Sequence, residues 1–351
     1  MRLDTVHIPP RALGEQLLRH GQTRAVQLGE DVGRARVHPP AEVMVSVVVA
    51  VYGNTEALPA LASAIAAQEF VGSIELIIVD NQPVPALTAG LQRVGPMDAL
   101  VVHEPQVGLS RARNTGIRRA GGEFILVTDP DARPHRAWAS QMVRALQESD
   151  ACCAGGRVEA YFPGGPQSRL PADALQMFVP PAWPGTTTEL VAPYWVVGCN
   201  LGFRREPTPW FDTRFGVTGA RHLSCEELEL TVRTQREGRR VVVVPEAVVY
   251  RAIHPHDLTM RAFLARALWH GVSIARLLAV HPYADVYDSY RVRDALVPSR
   301  WGTRAGRRGA ATDLARIVGL HAERIRHTVS GRQRSTAIAE QSAGTGEFRH
   351  G

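Results

Sequence analysis

Between residues 43 and 150 the chain alternates short runs of consecutive apolar, β-branched residues with segments whose apolar positions recur every three or four. Val45-Ser-Val-Val-Val-Ala-Val51 is the first run, and a strand without polar alternation is one covered on both faces. Residues 55–67 follow with Leu58, Leu61 and Ile65 on one helical stripe, capped by Asn54 or Thr55. Residues 74–79 predict a second strand ending at Asp80, and 99–102 a short third. Residues 109–120 predict a helix, 124–128 a fourth strand, and 139–146 a further helix. This β-α-β-α-β order predicts an α/β protein with a Rossmann-like, mostly parallel sheet flanked by helices.

The texture then changes. Residues 154–193 are rich in Gly and Pro and read as a long excursion. Residues 195–203 predict a strand with a glycine-marked bend, 226–238 a helix closed by Gly238, and 240–244 a strand stopped by Pro245. Residues 258–280 carry an apolar stripe at helical spacing, with core packing its default reading. One more helix is predicted over 312–329. The expected organisation is an appended segment over 1–41, then a domain over 42–256. That domain divides into two halves, 42–150 and 151–256. A helical region over 257–299 and a basic, partly disordered tail over 300–351 complete the chain.

Charge and composition narrow the chemistry. All 40 basic residues are Arg, which excludes Schiff-base lysine chemistry and a P-loop lysine. The formal charge of +6 resides in residues 300–351, where ten Arg face four acids, so the body is neutral. Such a tail suits a solvated end or peripheral contact with an anionic membrane surface; nucleic acid is not an expected partner. The four cysteines lack C-x₂-C spacing, which argues against a zinc framework. No apolar run approaches the ~18–20 residues of a membrane span, and the N-terminus does not read as a signal peptide. A cytoplasmic location is therefore expected.

The predicted strand 124–128 runs into Asp129-Pro-Asp131. Strand carboxyl ends line the ligand crevice of an open α/β sheet, and paired carboxylates there suit Mg²⁺ or Mn²⁺. The same residues would also make an Asp-Pro turn, so the pair alone does not decide. Four other stretches accompany it: Val49-Ala-Val-Tyr-Gly-Asn54, Val79-Asp80-Asn81, Val107-Gly-Leu-Ser-Arg-Ala-Arg-Asn114-Thr-Gly116, and Cys225-Glu226-Glu227-Leu-Glu-Leu230. In this order, over roughly residues 43–280, they resemble the family 2 inverting glycosyltransferases of GT-A fold.

The resemblance implies a metal-dependent transfer of a sugar from a nucleoside-diphosphate sugar to an acceptor hydroxyl. Ala50, Val51 and Tyr52 would lie along the base, and Asp80 would bond base or ribose. Arg113 and Asn114 fit the donor segment, where the guanidinium would pair with a phosphate or with the metal-binding acids. Asp131 would hold the divalent cation (Mn²⁺ or Mg²⁺), Asp129 the ribose or a metal-bound water, and His254 a third metal position. Glu227, with Glu226 beside it, would be the general base; the family more often has Glu-Asp there, so the extra methylene alters its reach. Trp195, Gly198 and Asn200 would line the acceptor or sugar pocket. The acceptor is open among glycan, lipid carrier, peptide and metabolite, as is the base of the donor. The competing expectation is an inactive, nucleotide-binding relative acting as a partner protein.

Overall fold

The structure is a computed structural model that describes residues 44–53, 55–163, 178–179, 183–191, 195–219, 221–282 and 303–344. The segment expected over 1–41, the Asn54 cap, residues 164–177 of the excursion and residues 283–302 lie outside the described residues. By its internal contacts the chain divides into two compact units, Met1–Thr259 and Met260–Gly351.

In the first unit, β1 (Met44–Val51), α1 (Leu58–Ala66), β2 (Ser73–Asp80), β3 (Gly90–Val94), β4 (Met97–His103), α2 (Leu109–Arg119) and β5 (Phe124–Thr128) form the first half. Then come β6 (Ala132–Pro134), α3 (Trp138–Glu148), β7 (Cys153–Tyr161), β8 (Thr188–Glu189), β9 (Asn200–Arg204), α4 (Glu226–Arg236) and β10 (Val241–Ala252). Ten strands among the described residues make one sheet in the order β3-β4-β2-β1-β5-β9-β7-β10-β6, with β8 on β10. Its β4-β2-β1-β5 part is parallel. Beyond β5 it is mixed: β9 runs antiparallel to β5 and β7, while β7 and β10 pair in parallel. With helices flanking the sheet, this is the expected α/β architecture, mostly parallel in its first half and mixed beyond.

The unbroken apolar runs are explained by burial on both faces. Val45, Val47, Val49 and Val51 of β1 enter one cluster with Leu61 and Ile65 of α1 and Trp138 and Met142 of α3. Val48 enters the other, with Ala112 and Ile117 of α2 and Leu230 of α4. β5 divides likewise, Phe124 and Leu126 to one side and Ile125 and Val127 to the other. Each such aliphatic side chain contributes about 1.5–3 kcal/mol by leaving water.

Several local expectations are corrected. α1 begins at Leu58 rather than at 55, because Pro59 occupies its first turn, where a missing N–H costs nothing. β3 was not legible; it forms a hairpin with β4 through Gly95, whose φ of +56° suits glycine. The excursion begins with β7, a nine-residue interior strand over 153–161. Its Gly155 and Gly156 look like loop residues but admit close neighbours: a Cβ on Gly156 would stand 2.2 Å from the Ala247 carbonyl oxygen. The strand expected over 195–203 is confined to Asn200–Arg204. Pro245 does not end β10; the register against β7 shifts between Val244 and Val248, and a bulge tolerates the missing donor.

The second unit pairs α5 (Met260–Val280) with α6 (Arg304–Gly344). The two helices approach at glycines: a Cβ on Gly271 would lie 1.9 Å from the Arg316 carbonyl oxygen, and one on Gly319 2.0 Å from that of Leu268. Two expectations change here. The tail is helical from Arg304 to Gly344 rather than over 312–329 alone. And α5, at 21 residues, is long and apolar enough to cross a membrane by length and composition, although a little under half of it is buried within the protein; a buried core helix meets the same criterion.

On this architecture, Gly116→Ala is a sensitive probe of the α2–sheet contact. Its Cβ would fall 2.4 Å from Val48 Cγ1 and 3.1 Å from Val79 Cγ2. The expected result is a destabilisation of about 1–3 kcal/mol, read as a lower midpoint in thermal denaturation.

Candidate functional site

The parallel strands deliver their carboxyl ends to one crevice, and β5 carries the chemistry there. Its last residue, Thr128, is held by a 2.9 Å bond from its hydroxyl to the Cys199 carbonyl. The chain then turns through Asp129, whose carbonyl accepts the Ala132 N–H at 3.1 Å, and enters β6. Asp131 therefore stands inside a tight turn between two strands. Burial first, and the neighbouring charge of Asp129 second, raise its pKa above the usual aspartate value; Arg251 and His254 oppose them.

Arg251 went unnoticed in the sequence, although a cation within a buried apolar strand was the available signal. It sits on β10 in register with Ala132 of β6. Burial acts against its charge, and Cys199, Asp129 and Asp131 together outweigh that and raise its pKa. His254 lies beyond the end of β10, its Nε2 4.0 Å from Asp131 Oδ2, with its ring stacked on that of His256 at 5.3 Å.

The central side chain is Arg113 of α2, 2% exposed. Its Nη1 donates to Glu226 Oε1 at 3.0 Å, and its Nη2 to the Gly198 carbonyl at 3.0 Å and Asp129 Oδ1 at 3.3 Å. The guanidinium also lies 5.3 Å from the centroid of Phe211, a cation–π arrangement. Asn114 fixes that phenylalanine from below: its Nδ2 donates to the Phe211 carbonyl at 2.8 Å, and its Oδ1 accepts the Phe211 N–H at 3.0 Å. Gly198 leaves this contact uncrowded: a Cβ there would stand 3.2 Å from Arg113 Nη1 and 3.5 Å from Glu226 Oε1.

Glu226 and Glu227 open α4. The residue before them, Cys225, has φ of +72°, a left-handed conformation costing a non-glycine residue about 1–2 kcal/mol. That turn projects the acid pair into the site while the first-turn position favours negative charge. Glu227 has its pKa raised well above the usual glutamate value, first by burial and then by the charge of Glu226, to which it is hydrogen-bonded. Its Oε2 has no hydrogen-bond partner among the described residues. Glu229 instead pairs with Arg233 at 2.8 Å along the helix.

The remaining sequence-designated residues divide by what their polar atoms do. Tyr52 is 54% exposed at the mouth of the crevice, whereas Val51 is fully buried in the core below it and Ala50 is half-buried. Asp80 is enclosed and turned to its own loop: Oδ2 accepts Ala86 N–H at 2.6 Å and Leu87 N–H at 2.8 Å, and Oδ1 accepts Gln82 at 3.3 Å. Asn200 is likewise enclosed. It accepts the Trp138 indole N–H at 2.8 Å and donates to the carbonyls of Arg157 and Ala247, both at 2.8 Å. Asn114, Asp80 and Asn200 thus hold loops and strands in place here. Trp195 is half-buried. Asn81, not singled out in the sequence, ties the donor-side loops by donating to the Glu104 and Gln106 carbonyls and accepting the Gly108 N–H at 2.7 Å.

Among the described residues no three His, Cys, Asp or Glu side chains form a ready metal cage. The donor chemistry nevertheless fits a hard cation: two carboxylates of one turn, one of them disfavoured as an anion, with an imidazole 4.0 Å from its oxygen. A proton and a cation compete for Asp131, so a raised pKa means that cation affinity is weak at acid pH and grows as pH rises past the ordinary aspartate range. Calorimetric titration with Mn²⁺ at several pH values is expected to show that rise, and Asp131→Asn to remove it.

Comparison with known proteins bears on this geometry. Residues 46–206 match the family model described as Glycosyl transferase family 2. The succinoglycan biosynthesis protein ExoM of Rhizobium meliloti is 26% identical over 211 residues, 59% of this chain and 65% of that one. The pre-mycofactocin glycosyltransferase of Mycobacterium tuberculosis is 24% identical over 249 residues, 69% of this chain and 49% of that one. The chain thus spans less than two thirds of the length of these curated relatives. Among solved structures, a mannosyltransferase of Pyrobaculum calidifontis in complex with GDP-Man and Mn²⁺ is similar at a TM-score of 0.46 and 18% identity, covering 89% of this chain and 82% of that one.

Proposed function

From the premise that this chain belongs to glycosyl transferase family 2, we propose that it transfers a sugar from a nucleoside-diphosphate sugar to an acceptor hydroxyl, with inversion and with a divalent cation. The observation that carries this reading is the single buried guanidinium joining Asp129, at the end of β5, to the acid pair that opens α4. Donor-side acids and a base with a free oxygen are thereby held within one constellation, as a displacement at a sugar carbon requires.

In this reading the exposed Tyr52 flanks the base of the donor, and Asp129 and Asp131 face its diphosphate. Asp131, with Asp129 and His254, would hold the cation, which supplies charge neutralisation for the departing nucleoside diphosphate. Glu227 takes the proton of the acceptor hydroxyl as its oxygen attacks the anomeric carbon from the face opposite the leaving group. Glu227 must shed its proton to act, and its raised proton affinity makes that step pH-dependent. Glu226 stays paired with Arg113.

Two measurements test this. A thermal-shift panel of UDP, GDP and dTDP, each with Mn²⁺, Mg²⁺ or chelator, is expected to show a cation-dependent rise with one nucleotide, lost in Asp131→Asn. A flat response to all three would remove the donor-site reading and leave a family member without the chemistry. With the donor class known, Glu227→Gln is expected to lower kcat by about 10²–10⁴-fold while nucleotide binding persists. The wild-type rate should climb with pH, its acid limb displaced upward from the ordinary glutamate range because Glu227 must lose its proton to act.

A further inference from the structure

The acid pair poses a question that the assignment of a base does not answer: two adjacent glutamates enter one buried site, and only one can be the proton acceptor. We propose that Arg113 divides the labour, engaging Glu226 in a buried ion pair so that Glu227 alone exchanges a proton with the acceptor. Arg113 is then a positioning residue for the reaction, and the inference rests on the reading of Glu227 as base.

The geometry is asymmetric in the required way. Arg113 Nη1 lies 3.0 Å from Glu226 Oε1, with the two side chains only 2% and 8% exposed. At that burial a lone guanidinium would be strongly disfavoured, so its charge demands an ionised partner within contact distance. Glu226 supplies one contact and Asp129, at 3.3 Å, the other. Glu227 receives no such contact, and its Oε2 has no hydrogen-bond partner among the described residues. The charged groups facing Glu227 are Glu226 on its own helix and Arg113 on α2; the thiol of Cys225, whose pKa burial raises, stays neutral beside them. Two carboxylates in one site cannot both ionise freely, and the one without the cation keeps the proton.

The surroundings are shaped for this contact. Gly198 has no side chain where Arg113 and Glu226 meet, and its carbonyl fixes Nη2. Phe211 lies against the guanidinium, and its backbone N–H and carbonyl are both hydrogen-bonded to the Asn114 amide. A direct phosphate contact by Arg113 would require it to abandon these bonds and leave its enclosure, so its effect on transfer runs through Glu226.

The test compares wild type, Glu226→Gln, Glu227→Gln and Arg113→Lys by two readouts. The first is the pH dependence of sugar transfer. The second is the titration of the Glu227 carboxyl carbon by NMR in the protein alone, assigned by its loss in Glu227→Gln. Removing the negative neighbour in Glu226→Gln should let Glu227 ionise more easily, moving its titration and the acid limb of the rate to lower pH by about one unit, a tenfold change in proton affinity. Turnover should survive in Glu226→Gln and collapse in Glu227→Gln. Weakening the cation in Arg113→Lys should move both curves the other way. If Arg113→Lys does not fold, Gly198→Ala, which crowds the same contact, takes its place with the same expected direction. A Glu226→Gln enzyme as inactive as Glu227→Gln, or a Glu227 titration unmoved by both neighbours, would overturn the proposal. If wild type transfers no sugar, the proposed function fails, while the carboxyl titration still decides whether Arg113 sets the protonation of the pair.

Discussion

A buried guanidinium is the constraint around which this site is organised. Arg113 is enclosed by the protein, and an arginine cannot relieve its burial by losing its proton. Its surroundings must therefore supply anions and carbonyls at contact distance, and they come from distant parts of the chain: Asp129 from the end of β5, Glu226 from the start of α4, and Gly198 from the turn before β9. Satisfying one side chain fixes the donor-side acids and the acid pair relative to each other. The left-handed turn at Cys225 and the missing side chain at Gly198 are local consequences of the same demand.

The sheet makes that arrangement rigid. β1 and β5 are apolar on both faces, so neither can slip in register by one residue without exchanging its contributions to two separate cores. Their carboxyl ends are thereby held at one level, where Asp129 and Asp131 emerge. Beyond β5 the chain reverses to antiparallel β9, and β7 and β10 carry Arg251 to the side of β6, opposite the aspartates. The first half thus offers exposed and ionisable groups along the strand ends. The second returns the Glu226–Glu227 pair and a balancing cation to them.

What the sequence disclosed follows from the physics of each signal. The strand 124–128 and the acids after it were legible because a fully buried strand is a continuous apolar run and its end is marked by charge. The acids opening α4 were legible because helix starts have their own signature. β7 was hidden because its glycines serve close packing against Val196, Asn200 and the Ala247 backbone, a requirement set by partners remote in sequence. Asp80, Asn114 and Asn200 carry the right residue types for ligand contact, yet each spends its polar atoms on backbone or side-chain groups of the protein. The bonds of Asn114 and Asn200 join segments remote in sequence and could not be read from residue type alone. The pairing of Arg113 with Glu226, 113 residues away, depends on tertiary structure that no local pattern encodes.

The central claim is that Glu227 removes the acceptor proton on the face of the sugar opposite the departing nucleotide. The configuration of the newly formed glycosidic bond tests it most directly. With a donor sugar linked to its nucleotide in the α configuration, proton NMR of the earliest product should show the anomeric carbon inverted to β. A product of α configuration at the earliest time would require attack from the same face as the leaving group, and would contradict the role given to Glu227.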